Sequence, residues 1–421
     1  VHVLIIGNGG REHALAWKVA QSARIKKIWV VPGNAGTAIE NKVQNVSIDT
    51  ADIHSLVNFA QKNKIDFTIV GPEVPLAYGI VDQFHKKRLS IFGPTQTAAR
   101  LETSKNFCKE FLNRYNIPTA DSISFTEKKN ALLYLSNQSF PIVIKANGLA
   151  AGKGVFIAQS FIEAKNIVIS MLEEKKLGVA GQEIVVEDFL YGEELSFTVI
   201  ISGKHFLPLA SSQDYKRLLC GNRGPNTGGM GAYSPVSRLS NTLQEKIITD
   251  IIRPTITGLE TEGIGYKGFL YIGLMITPNG VPKVLEFNVR LGDPETQVLM
   301  MRLQSDLTEL ILSALSDNLN QINIIWDQRV ALTVVMASKG YPGNYKKGDI
   351  IKGLRHIFLP TDIKIFHANT MKNNNLIVTN GGRVLSITAL GFSVQEAQKK
   401  VYRIVSQISW PNCYYRDDIG L

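Results

Sequence analysis

The 421-residue chain is 44% hydrophobic and 19% charged, a globular balance that excludes a disordered chain, a collagen or a coiled coil. At roughly 150 residues per domain the length suggests about three domains. Lys and Arg number 46 against 36 Asp and Glu, and the net charge of +10 suits anionic ligands such as nucleotides or sugar phosphates.

An apolar run at 3–6 predicts a first strand, then a glycine-rich loop and a helix from about 12 to 20. The opening has no basic stretch or cleavage site, so no signal peptide is expected. Strands follow at 28–31, 67–70 and 90–92. Asp52 is placed to cap a helix whose Ile53, Leu56, Val57 and Ala60 share a face. Strands alternating with helices imply a parallel sheet covered on both sides. The strands lead into Gly7-Asn8-Gly9-Gly10-Arg11-Glu12-His13, Gly33-Asn34-Ala35-Gly36-Thr37, Gly71-Pro72-Glu73 and Gly93-Pro94-Thr95. All lie on the carboxyl edge, where open parallel sheets bind ligands. The first is not a dinucleotide fingerprint, because Glu12 stands where the third glycine belongs and its charge opposes a pyrophosphate. The Gly9 and Gly10 amides can still hold a monophosphate or polar substrate, and a tight strand-to-helix turn accounts for the loop equally well. His13 reads as a packing or capping residue.

From about 101 to 326 the pattern becomes α+β, with strands at 141–145, 183–187, 195–201, 268–276 and 281–288. Asn279-Gly280 marks a hairpin turn between the last two. Gly148-Leu149-Ala150-Ala151-Gly152-Lys153-Gly154 is not a P-loop, since its glycines are too close and Gly154 replaces the Ser/Thr. It can fold as a flap over phosphates, with Lys145 and Lys153 as point charges. Glu187-Asp188-Phe189-Leu190 and Glu193-Glu194 can read an adenine amino group and ribose hydroxyls, although an acidic surface turn also explains them. The long 224–235 loop reads as functional by its length. Strand alternation puts Glu286, Asn288 and Arg290 on one face and Leu285, Phe287 and Val289 on the other. A carboxylate and an amide oxygen two residues apart suit a hard cation such as Mg2+, and Arg290 beside them can clamp a carboxylate or phosphate.

Beyond 327, strands are expected at 330–337, 364–368 and 384–389. Ser393-Val394-Gln395-Glu396 then opens a helix whose Val394, Ala397, Val401, Ile404, Val405 and Ile408 form a core-facing stripe. The widely spaced Cys108, Cys220 and Cys413 offer no disulfide framework or zinc spacing, so a reducing, cytoplasmic setting is expected. No window reaches the ~18 apolar residues of a membrane span. No concentrated basic patch points to nucleic acid.

With these motifs assembled, the chain resembles the glycinamide ribonucleotide synthetase family of the ATP-grasp superfamily, from about 2 to 419 and most specifically at 7–14, 148–154, 224–235 and 286–296. The resemblance implies a Rossmann-like parallel α/β domain at 1–102. An ATP-grasp core at 103–326 would follow, with a lid subdomain at about 119–190, then a small α+β domain at 327–421. It implies ATP-dependent ligation of glycine to 5-phosphoribosylamine through a glycyl phosphate, in purine synthesis, with Mg2+ or Mn2+ as cofactor. By resemblance, Lys105 and Lys145 contact ATP phosphates beneath the flap that carries Gly148, Gly152, Lys153 and Gly154. Glu187 and Phe189 lie at the adenine and Glu194 takes the ribose. Glu286 and Asn288 hold the metal, and Arg290 and Asp293 hold glycine and its acyl phosphate. Gly9, Gly10, Glu12 and Glu73 face the phosphoribosylamine sugar. Asp214 is a further substrate candidate, and Gly381, Gly382 and Arg383 are candidates for the 5-phosphate.

The resemblance also implies a cytoplasmic monomer whose partners are its small-molecule substrates and, transiently, the amidotransferase that makes the amine. Two departures stand out: Asn147 replaces the family's Asp, and Leu218-Leu219-Cys220-Gly221-Asn222-Arg223 replaces an acidic segment. Competing readings are another purine-pathway ATP-grasp enzyme, a nicotinamide-dependent oxidoreductase and a basic nucleic-acid-binding protein. Against them stand, in turn, the 224–235 loop, the missing third glycine and the dispersed basic charge.

Overall fold

The computed structural model describes residues 1–150, 152–355 and 357–421. Its first segment is a parallel sheet of β1 (His2–Gly7), β2 (Lys27–Pro32), β3 (Val43–Asn45), β4 (Phe67–Val70) and β5 (Ile91–Phe92), in the order β3-β2-β1-β4-β5. Val3 to Ile6 and Val30 are fully buried, which is why the central strands read as unbroken apolar runs. The edge strand β3 is short and carries the exposed Gln44, so it left no such run. Strand order reverses between β1 and β4, and this switch point opens a crevice at their carboxyl ends. The helix α1 (Gly10–Ala20) starts earlier than the apolar spacing predicts, because Glu12 accepts the Gly9 amide at 2.6 Å and caps it. Asp52 caps the next helix through the Ser55 amide at 3.0 Å, as expected.

An antiparallel sheet of Ser122–Phe125, Ile184–Asp188, Ile142–Ala146 and Val155–Ala158 follows, covered by Lys128–Leu135 and Phe161–Val168. It has its own core, including Leu135, Ile144, Val168, Met171 and Val186. A separate core lets such a unit keep its shape while its position changes. The central sheet, His205–Pro208, Glu193–Ser202, Lys267–Ile276 and Pro282–Asn288, is also antiparallel. Its last two strands join at Asn279-Gly280, with Gly280 at φ 72°.

The last sheet runs Gln213–Asp214, Gly231–Ser234, Val330–Ala337, Arg383–Gly391, Ile363–His367. Two of its strands therefore come from the glycine-rich middle of the chain and are stitched to three from beyond residue 330. The helix Val394–Val405 buries Ala397, Val401, Ile404 and Val405 against it. Among the described residues, no helix is long and apolar enough to cross a membrane.

Candidate active site

The switch-point crevice, the sheet of Ser122–Phe125, Ile184–Asp188, Ile142–Ala146 and Val155–Ala158, the central sheet and the C-terminal sheet enclose a cavity of about 940 Å³. Small-ligand sites run to roughly 300–1,000 Å³, so it can seat a nucleotide and a second substrate together. Lys105, Lys145, Gly152, Gly154, Glu187, Phe189, Glu194, Asp214, Glu286, Asn288, Arg290, Asp293, Glu73, Gly382 and Arg383 all line it.

One wall is cationic. Lys145, near the end of the strand Ile142–Ala146, places Nζ 2.9 Å from Glu187 Oε2 and 3.0 Å from the Leu285 carbonyl. Lys109 meets the same carboxylate oxygen at 3.2 Å and donates to Thr119 Oγ1 at 2.7 Å. Glu187 Oε1 is buried without a hydrogen-bond partner. Lys105 Nζ lies 3.5 Å from the Gly148 carbonyl, and burial, reinforced by Lys145, lowers its pKa. An ammonium that burial and a like charge disfavour is stabilised by an incoming anion.

The facing wall carries Glu286 and Asn288. Burial alone would raise the Glu286 carboxyl, but Lys216, Lys145, Lys105 and Arg290 outweigh it and hold the pKa at about 2. Asn288 Nδ2 donates to Glu286 Oε1 at 3.4 Å. A fully ionised carboxylate beside an amide oxygen is a donor set that fits a hard divalent cation. Lys216 Nζ stands 3.5 Å from both Glu286 Oε1 and Glu194 Oε2, linking this wall to the ribose candidate. Asp214 is pushed up to about 8 by burial, against the pull of Lys216.

Arg290 is gripped from two sides: Nη2 donates to Glu102 Oε1 at 2.9 Å, and Nε lies 3.3 Å from Glu73 Oε2. Asp293 accepts from Gln297 Nε2 at 2.8 Å, and Arg383 and Arg11 hold it ionised against its burial.

Other expected site residues lie off the cavity. The Gly9 amide, expected to be free for an anion, is already bonded to Glu12. Glu12 itself is 1% exposed and faces inward, with Arg11 Nε on its other oxygen at 2.5 Å. Methyl groups at Gly7 or Gly71 would overlap the Glu12 side chain, so these glycines make room for a carboxylate rather than a substrate. Gly10 packs on Gln297, and Gly381 packs on Asn369. Gly148 abuts Ala180, and Lys153 is exposed outside the lining. Ala151 of the same loop lies outside the described residues. Arg383 does line the cavity, but its Nη1 is spent on carbonyls, Gly228 at 2.8 Å and Asp293 at 2.5 Å, with Gly229 more distant at 3.4 Å. His13 is a packing residue: Nδ1 accepts the His367 amide at 2.8 Å, and Nε2 pairs with Glu40 at 2.9 Å.

Lys109, Lys216 and Glu102 were not anticipated. Lys109 stands one helical turn after Lys105 and Lys216 two residues after Asp214, so spacing from a known candidate can find both. Nothing local marks Glu102. Asn147 keeps the flap's turn: its Oδ1 accepts the Asn106 amide at 2.9 Å, and its Nδ2 donates to Glu183 Oε2 at 2.7 Å. An Asp at 147 would face Glu183 as a like charge.

A four-stranded unit with its own core, a cationic strand end opposite a carboxylate–amide pair, and a switch-point crevice beside them define an ATP-grasp ligase. The chain belongs to the phosphoribosylglycinamide synthetase family: residues 1–102 match its N domain, 103–296 its ATP-grasp (A) domain and 331–421 its C domain. It is similar to the phosphoribosylamine–glycine ligase of Escherichia coli strain K12, 54% identical over 99% of this chain and 97% of that protein. The Vibrio cholerae phosphoribosylamine–glycine ligase is 53% identical over 100% of this chain and 98% of that protein. The solved Thermotoga maritima phosphoribosylamine–glycine ligase superposes with a TM-score of 0.86 at 34% identity, covering 100% of both chains. The reaction is the ATP-dependent joining of glycine to 5-phosphoribosylamine in purine biosynthesis, giving glycinamide ribonucleotide, ADP and phosphate. Members of this family use ATP and a divalent metal.

Proposed function

We propose that the cavity runs this ligation with the following division of labour. Lys105 and Lys145 neutralise the ATP phosphates while the 148–154 loop covers them. Glu187, whose free Oε1 is a ready acceptor, and Phe189 receive the adenine, and Glu194 the ribose. Glu286 and Asn288 would hold Mg2+, or Mn2+, which when bound neutralises charge on the transferring phosphoryl group. Arg290 and the ionised Asp293 offer opposite charges to the carboxylate and ammonium of glycine. Glu73, at the switch point, faces the sugar.

A carboxylate is a poor electrophile. A glycine oxygen attacks the γ-phosphorus, the bond to the ADP oxygen breaks, and a mixed anhydride forms. The phosphoribosylamine nitrogen then attacks the acyl carbon and expels phosphate. The protein contributes positioning and charge neutralisation, without a nucleophile of its own.

One observation supports this reading above the rest: Glu286, Asn288 and Arg290 share a single cavity with Lys105, Lys145 and Glu187. The deciding assay follows ADP release with the amine formed in situ. Release that needs both glycine and the amine is expected, and release indifferent to glycine rejects the assigned glycine site. A cytoplasmic monomer that meets the amine-producing amidotransferase only transiently completes the proposal.

A further inference from the structure

The cavity's C-terminal wall contains a clamp that the ligation chemistry does not call for. The Gly228 amide donates to the Tyr341 hydroxyl at 2.8 Å, and the Gly228 carbonyl accepts from Arg383 Nη1 at 2.8 Å. Both backbone polar groups of the exposed Gly228, in the two peptide units that flank it, are thus fixed by the C-terminal domain. A methyl group at Gly382 would overlap the Tyr341 ring, so that glycine seats the ring. The neighbouring Thr227 is tied as firmly, its amide and hydroxyl both donating to the Lys216 carbonyl at 2.7 and 2.8 Å. Across the cavity, a methyl group at Gly152 would lie 3.6 Å from the Thr227 carbonyl oxygen and 3.9 Å from the Gly228 nitrogen. Gly152 of the phosphate flap therefore faces the clamped peptide with no more room between them than one side-chain carbon would fill.

We infer that Tyr341 is a positioning residue that holds the 227–228 peptide as the seat for the ATP flap, and so keeps ATP cleavage coupled to ligation. The inference rests on reading the 148–154 loop as the phosphate cover. With a loose seat, water reaches the acyl phosphate. Its oxygen attacks the acyl carbon, the bond to phosphate breaks, and glycine is regenerated. The net reaction is then hydrolysis of ATP to ADP and phosphate.

Tyr341→Phe removes one oxygen and leaves the ring on Gly382. The test compares glycinamide ribonucleotide formed with ADP released, alongside KM for each substrate. The wild type should give one product per ADP. In Y341F the ratio is expected to fall to about one half or below, with KM for glycine and the amine within roughly twofold of wild type. Gly228→Ala loosens the clamp from the other side, because its methyl group would lie 2.9 Å from Arg383 Cζ and 3.1 Å from the Tyr341 oxygen. It should show the same uncoupling, and where it does not fold, Y341F alone decides. A ratio of one in Y341F overturns the inference, whether activity is otherwise normal or KM for the amine rises as it would for a direct substrate contact. Failure of the function reading is separate: the wild type itself would then release ADP without needing glycine.

Discussion

Glu102 Oε1 lies 2.9 Å from Arg290 Nη2, while Glu102 Oε2 accepts the Val289 amide at 2.8 Å. A buried carboxylate thus fixes both the guanidinium and the backbone leading to it. Burial raises the Glu102 carboxyl to about 7, although Arg290 opposes the shift. The native state therefore keeps a proton that the unfolded chain releases from about pH 4.5 upward. Stability from this group falls as pH rises through that window, and the whole cost stands above about pH 7. Glu102→Gln does not titrate. Between about pH 4.5 and 7.5 the stability difference should move toward the variant by on the order of 2–3 kcal/mol. Urea denaturation of both proteins across that range measures it, and a pH-independent difference would remove the raised carboxyl.

Glu286 behaves oppositely. Its carboxyl is held at about 2, so it stays ionised and ready for a cation at any working pH. Glu286→Ala should leave the thermal midpoint near wild type and lower kcat by roughly a thousandfold or more, because charge neutralisation at a phosphoryl group is a large share of catalysis. Mn2+ titration followed by electron paramagnetic resonance, in the presence of ATP, should show the tight site lost. A retained site would move the metal assignment elsewhere.

Glu12 tests whether the first glycine-rich loop binds or builds. Its carboxylate satisfies the Gly9 amide and Arg11 Nε behind the cavity wall. Glu12→Ala should cost about 1–3 kcal/mol of stability, the usual penalty for orphaning buried donors. Gly71→Ala should cost at least as much, since its methyl group would overlap that carboxylate. In Glu12→Ala, KM for ATP and glycine should hold. A stable variant with a sharply raised KM for the amine would return Glu12 to the substrate.

The central strands of the parallel sheet and the 286–290 alternation were legible because burial on two faces writes an unbroken apolar run into the sequence and burial on one face a period of two. Edge elements such as Val43–Asn45 and Ser122–Phe125 were not, since half-exposed strands carry no apolar run. The same divide runs through the site. Glu286 and Asn288 declare themselves by spacing along one strand, and Arg290 keeps the spacing two residues past its end. Glu102 meets Arg290 only through the fold, the two standing 188 positions apart. Glu12 misleads in the other direction, because glycines around a carboxylate look the same in sequence whether they admit a ligand or the protein's own side chain. The non-acidic 218–223 segment also becomes intelligible only in three dimensions, through the end of the chain.

That segment is the turn of a hairpin, Arg217–Leu219 against Arg223–Asn226, and Arg416 holds it. Arg416 is fully buried, although it is the largest side chain in that class. Its Nε and Nη2 each lie 2.7 Å from an oxygen of Asp418, and Nη1 donates to the Arg217 carbonyl at 3.1 Å and to Asn222 Oδ1 at 3.0 Å. The guanidinium also stacks 5.0 Å from the Tyr215 ring centre. Tyr414 adds a hydroxyl bond to the Leu218 carbonyl at 2.9 Å. Arg217 adjoins Lys216, the residue between Glu194 and Glu286, so the tail reaches the cavity through one peptide bond. Arg416→Lys keeps the charge but not the planar fork, and leaves Asp418 and Asn222 short of donors. It should lower stability by about 2–4 kcal/mol, as broken buried charge networks do. It should also raise KM for ATP several-fold as Lys216 loses its fixed backbone, whereas Asp417→Ala, outside the fork, should do neither. Denaturation and initial-rate measurements on the two variants decide: an R416K enzyme that is destabilised yet binds ATP normally would confine Arg416 to holding the tail.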